Sequence, residues 1–129
     1  MPKLILTLNT QLPQDSINMI ATNLTSLTQT LLNKQPEVTR IHVNQNQSPC
    51  FVNASLVTES PAFDLAIYIT KGTNTDAQKS EWLSATYHFL SNVLGENTPT
   101  QPNYISIIEL DAASWGYNGL SQFTRNNPV

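Results

Sequence analysis

The sequence predicts an α/β (α+β) fold: two β-α-β units forming a four-stranded sheet with both helices on one face. Three observations carry this. Four short runs rich in Leu, Ile, Val and aromatics are bounded by Pro, Asn and Gly; two longer stretches with helical periodicity lie between them; and the two halves repeat the same order. The strands are expected at Lys3–Asn9, Val38–Asn44, Phe63–Thr70 and Tyr104–Leu110. The first helix is expected from Pro13 to Asn33, with Ile17, Ile20, Ala21, Leu24, Leu27 and Leu31 at helical spacing. Pro13 suits a first turn and Asp15 the positive dipole end. The second is expected from Thr75 to Leu94, with Thr75 and Gln78 in a capping-box pattern and a stripe of Trp82, Ala85, Phe89 and Val93. Gly95 is placed to close it. The helix starts at Asp15 and Asp76 lie 61 residues apart. That spacing marks an internal repeat.

The repeat also predicts assembly. A strand-helix-strand crossover normally gives a right-handed parallel pair, so two units put both helices on one face. The strands read as apolar on both sides, with Leu4, Leu6 and Leu8 opposing Ile5, and Leu65, Ile67 and Ile69 opposing Ala66 and Tyr68. Such sheets are usually covered on both faces. The second cover is expected to be another copy of the chain in a closed homo-oligomer. The single domain spans 1–129, with repeats at 2–44 and 63–110, a linker at 45–62 and a carboxy-terminal segment at 111–129. The linker is long for a compact domain. Its apolar Cys50-Phe51-Val52 and Leu56-Val57 argue for an ordered short hairpin lining a pocket. The tail Trp115-Gly116-Tyr117-Asn118-Gly119-Leu120 is expected to dock either on a neighbouring subunit or on its own core.

Composition excludes several functions. At 129 residues the chain holds one core, and a net charge of -3 with 12% charged residues gives no basic field for nucleic acid. A lone Cys50 excludes an internal disulfide framework and points to a reducing compartment. No apolar run approaches a membrane span and no signal-type segment opens the chain, so a cytoplasmic protein is expected. No Ser/His/Asp arrangement, phosphate loop or metal-ligand spacing is visible. His42 and His88 read as structural residues of a strand and a helix face.

The residue with the most chemical content is Pro2, directly before the first strand. Initiator methionine is usually trimmed before a small residue, which would expose a prolyl secondary amine. An α-amine titrates near pH ~8, and an apolar or cationic setting lowers that further. Pro2 is therefore a candidate general base near neutral pH. Its structural alternative is the start of an edge strand, where a missing N–H costs nothing.

The amino-terminal proline, the doubled β-α-β unit and the segment Leu110-Asp111-Ala112-Ala113-Ser114-Trp115-Gly116-Tyr117-Asn118-Gly119 together resemble the tautomerase superfamily. That group includes 4-oxalocrotonate tautomerase, 5-carboxymethyl-2-hydroxymuconate isomerase and macrophage migration inhibitory factor. The resemblance spans nearly the whole chain. It implies a homotrimer whose sheets line a central barrel, no metal, no cofactor, and Pro2 as catalytic acid or base. It further implies that Arg40 binds the substrate carboxylate, that Lys34 and Tyr104 border the pocket, and that Lys71 lies at its edge. The expected activity is keto–enol tautomerisation of a small enol or 2-oxo carboxylic acid. The alternatives are a hydratase- or decarboxylase-like activity and a catalytically weak trimeric binding protein. Thr10-Gln11-Leu12-Pro13 lacks the early arginine of the oxalocrotonate enzymes, and Lys71-Gly72-Thr73-Asn74 lacks the arginine pair of the decarboxylase relatives.

Overall fold

A computed structural model describes residues 2–46, 48–58, 60–95 and 102–128. Met1 lies outside them. In chain order the elements are β1 (Lys3–Leu8), α1 (Gln14–Leu32), a 3-10 turn (Pro36–Val38), β2 (Arg40–Gln45), β3 (Phe51–Val52), β4 (Ser55–Leu56), β5 (Phe63–Thr70), α2 (Asp76–Leu94), β6 (Tyr104–Leu110), β7 (Gly116–Tyr117), β8 (Leu120–Ser121) and α3 (Gln122–Asn126). The main sheet runs β2-β1-β5-β6. β1 pairs parallel with β2, and β5 parallel with β6, as each crossover requires. The two units then meet antiparallel along β1 and β5, with Leu6 opposite Leu65. The second strand starts later than expected, because Pro36 draws residues 36–38 into a 3-10 turn.

Strand alternation sorts the two faces. Leu4, Leu6 and Leu8 of β1 and Leu65, Ile67 and Ile69 of β5 are buried under the helices. α2 opens on the expected capping box, with the Gln78 amide donating to Thr75 Oγ1 at 3.1 Å and the Thr75 amide donating to Gln78 Oε1 at 3.0 Å. It ends on Gly95 at φ 75°, and α1 ends on Asn33 at φ 58°, both left-handed caps. The helix layer also buries Thr28 and Thr86, which apolar periodicity passes over. Both are satisfied. Thr28 Oγ1 donates to the Leu24 carbonyl at 2.7 Å and accepts from the fully buried Trp82 Nε1 at 3.2 Å, while Thr86 Oγ1 donates to the Trp82 carbonyl at 2.8 Å.

The opposite sheet face has no helix over it, and its composition differs from the expectation. The register places Arg40, His42 and Asn44 beside Lys3, Ile5 and Thr7, then Tyr68, Ala66 and Asp64, then Ile108, Ser106 and Tyr104. Charged and polar side chains therefore alternate with apolar ones. Lys3 Nζ lies 4.6 Å over the Tyr68 ring. This surface suits a polar channel better than a dry interface.

Within the linker a short hairpin forms: β3 pairs with β4 across Asn53 and Ala54, both at positive φ. Its Phe51 and Leu56 are exposed, and cavities lie on either side of it. The tail packs on its own chain. Trp115 Nε1 donates to Thr70 Oγ1 at 3.0 Å, and β7–β8 closes through Asn118 and Gly119 at φ 51° and 85°. Gly116 is required there, since a Cβ would run into the Leu120 carbonyl.

Candidate active site

Pro2 is buried at the head of β1, where its carbonyl accepts from the Arg40 amide at 3.3 Å. It stands one residue before Lys3, which is paired with Arg40 and Tyr68. Continuing that register brings Pro2 beside Thr39 and Ile69. Their chain neighbours Val38 and Thr70 line a cavity of about 420 Å³, together with Leu32, Lys34, Thr73, Tyr117, Gln122 and Arg125. The sheet end, the turn after α1 and the carboxy-terminal segment thus enclose one concavity, and Pro2 itself is not among its lining residues. Pockets at such convergences are the usual seats of small-ligand sites.

Lys34 enters this cavity because α1 stops at the left-handed Asn33 and turns the chain back over the sheet end. Its Nζ donates to Thr73 Oγ1 at 2.9 Å, and that hydroxyl donates on to the Thr70 carbonyl at 2.7 Å. Burial pushes the Lys34 ammonium below the ordinary lysine range, and the charge of Glu109 opposes that shift. Glu109 itself is engaged by Lys79, whose Nζ lies 3.1 Å from its Oε1 and 3.2 Å from Asp76 Oδ1. Hydrogen bonds donated to Glu109 and then to Asp76 hold the Lys79 ammonium above its usual range. The described residues lining the cavity include two cations, Lys34 and Arg125, and no carboxylate. In an acidic protein that imbalance favours an anionic guest.

The other expected residues lie apart from this cavity. Arg40 adjoins Pro2 through its backbone, but its exposed side chain belongs to the uncovered sheet face with Lys3 and His42. Lys71 is exposed beyond β5, with its amide donating to the Leu110 carbonyl at 2.8 Å. Tyr104 is 63% exposed at the far end of the sheet, paired with Asp64 and bordering a separate cavity with Phe51 and Val52. Within one chain Lys34 lines this cavity and Tyr104 borders a different one. Arg125, Tyr117 and Gln122 were not expected at the site. The visible signal for Arg125 was its rarity, as one of two arginines in the chain, set in an aromatic tail. Among the described residues no group of three or more His, Cys, Asp or Glu could hold a metal ion. No helix of the described residues is long and apolar enough to cross a membrane.

No protein-family model matches the sequence, and no curated protein is significantly similar to it. Similarity appears in three dimensions. The chain superposes on Pt0534 inactivated by 2-oxo-3-pentynoate with a TM-score of 0.82 at 11% identity, covering 95% of this chain and 98% of that one. A fused 4-OT wild-type asymmetric trimer gives 0.82 at 18% identity, over 95% and 98%. The macrophage migration inhibitory factor-like protein of Entamoeba histolytica gives 0.73 at 15%, over 93% and 97%. The chain shares the fold of these structures. At these identities the likeness defines architecture, and the chemistry must be argued from the residues.

Proposed function

We propose that the chain is a cofactor-independent tautomerase of a small enol or 2-oxo carboxylic acid, with Pro2 as general base and acid. What supports this is a buried Pro2 whose register neighbours Thr39 and Ile69 adjoin Val38 and Thr70, wall residues of a cavity with two cations and no described carboxylate. Once Met1 is removed, the neutral Pro2 nitrogen takes a proton from the enol oxygen or an activated carbon. It returns that proton at the other end of the conjugated system. Negative charge develops on the enolate oxygen between these steps, where Lys34 stabilises it. Burial disfavours the protonated amine, which keeps the base available near neutral pH.

A homotrimer fits this reading. The uncovered face of mixed polarity would line a central channel, as the barrel arrangement requires. Tyr104, and the Arg40 side chain, would then serve a pocket completed by an adjacent subunit, since neither lines the Lys34 cavity within one chain. Lys71, exposed beyond β5, is assigned the outer edge of the pocket. The cytoplasm is the proposed compartment, on the strength of the lone cysteine.

2-Oxo-3-pentynoate, which inactivates one of the structural neighbours, tests the nucleophile directly. A neutral secondary amine adds to its activated alkyne, forming an N–C bond while the triple bond becomes a protonated double bond, with nothing expelled. Peptide mass mapping should find the adduct on Pro2. Labelling elsewhere, or none in a trimmed chain, counts against the proposal.

A further inference from the structure

The carboxy-terminal segment brings a cation into the cavity that the role of Pro2 and Lys34 leaves unused. Arg125 lies on α3 with its guanidinium carbon 3.8 Å over the Tyr117 ring, and its Nη2 donates to the Tyr117 carbonyl at 2.8 Å. Stacking and that one bond fix the plane of the fork. Neither supplies a counter-charge, and both ion pairs among the described residues belong to Lys79. The Arg125 Nε is buried and has no acceptor. Buried donors of a charged group are normally paired, so an unpaired one calls for an explanation. One turn earlier on the same short helix, Gln122 Oε1 is also buried without a partner. Both residues line the Lys34 cavity. Arg125, Gln122 and Lys34 therefore converge on one cavity, with the Arg125 guanidinium in no ion pair among the described residues.

We infer that Arg125 is the carboxylate-binding residue of this cavity. Its fixed guanidinium takes the ligand carboxylate, while the Gln122 amide pairs with the enol hydroxyl beside it. A planar fork held by stacking suits side-on, two-point capture of a carboxylate, which an ammonium cannot provide. The tail thus becomes the specificity element, and a 2-hydroxy-2-enoic acid presents the matching acceptor and donor on neighbouring carbons. The enol part of this inference rests on the proposed tautomerase activity; carboxylate capture does not need Pro2.

The decisive experiment uses the chain's two arginines, Arg40 and Arg125, as internal reporters. The trimmed wild-type protein is titrated with phenylpyruvate and with its methyl ester while the side-chain Nε–Hε signals are followed by NMR. The acid should shift the Arg125 signal saturably, and the ester should not. Arg125→Gln should weaken acid binding about 10- to 100-fold, the loss expected for a charge-assisted hydrogen bond, and leave ester binding unchanged. Arg125→Lys should restore part of the affinity. An unmoved Arg125 signal, movement of Arg40 in its place, or equal acid affinity in wild type and Arg125→Gln overturns the inference. The wild-type titration decides even where a variant fails to fold. Acid capture by Arg125 in a trimmed chain that turns over no enol would sink the role of Pro2 and leave this site standing.

Discussion

Removing the Thr70 hydroxyl should loosen the tail without unfolding the sheet. Thr70 is 6% exposed at the end of β5, and its Oγ1 accepts from Trp115 Nε1 at 3.0 Å. Thr70→Val keeps the shape and deletes the acceptor, leaving a partly buried indole N–H unpaired. Such a loss costs about 1–2 kcal/mol, which corresponds to roughly a 5- to 30-fold change in an opening equilibrium. The effect should be local, because the segment touches the sheet through few bonds. Amide hydrogen exchange reads it directly. The Gln122 amide donates to the Trp115 carbonyl at 2.9 Å and the Phe123 amide to the Ala112 carbonyl at 2.8 Å, so both should exchange faster by about that 5- to 30-fold factor. Leu6 and Leu65, paired in the centre of the sheet, should keep their protection. Acid binding should weaken in parallel, since the same segment carries Arg125. Unchanged exchange at Gln122 and Phe123 would refute the reasoning, and an equal acceleration at Leu6 would show that Thr70 acts on global stability instead.

Thr28→Val should lower stability by about 1–3 kcal/mol in urea unfolding, because the fully buried Trp82 indole loses its acceptor; an unchanged midpoint would mean the helix layer does not depend on that bond. Anion affinity should fall as pH rises through the lowered pKa of Lys34, because the bound anion needs the protonated ammonium. In Glu109→Gln that inflection should move further down, since the Glu109 charge helps to hold the proton on Lys34; phenylpyruvate titrations from neutral to alkaline pH measure both. The same burial makes the charged form the disfavoured one in the fold. The Lys34 contribution to stability therefore improves as pH rises past its folded pKa towards the ordinary lysine value, where the unfolded chain also loses the proton.

Much of this architecture is legible in the sequence because apolar periodicity and caps are local signals. The strand runs, Thr75 with Gln78, and Gly95 each declare their conformation within a few residues. Pro36 moved the start of β2 by forming a 3-10 turn, which strand propensity at Val38 and Thr39 does not reveal. Thr28 and Thr86 escaped the reading because a threonine is buried only when distant partners satisfy it, and Trp82 Nε1 lies 54 residues from Thr28. The sequence singles out Lys34 of the cavity lining and passes over Arg125. Lys34 reaches the cavity because α1 ends at the same end of the sheet as Val38 and Thr70. Arg125 arrives through a hairpin docked on Thr70, a long-range contact that no spacing in the tail encodes. Arg40 reads as a pocket residue in sequence, yet strand alternation turns its side chain to the uncovered face.

The central claim is that the Pro2 nitrogen, freed of Met1, is the base. Two matched preparations test it: one beginning at Pro2, the other retaining Met1, which converts that nitrogen into a non-basic amide. Turnover of phenylenolpyruvate should appear in the trimmed chain, rising with pH through an apparent pKa below the value of about 8 for an ordinary α-amine. The extended chain should be nearly inactive while binding phenylpyruvate with similar affinity. Equal turnover in both preparations, with the same oligomeric state, would contradict the account.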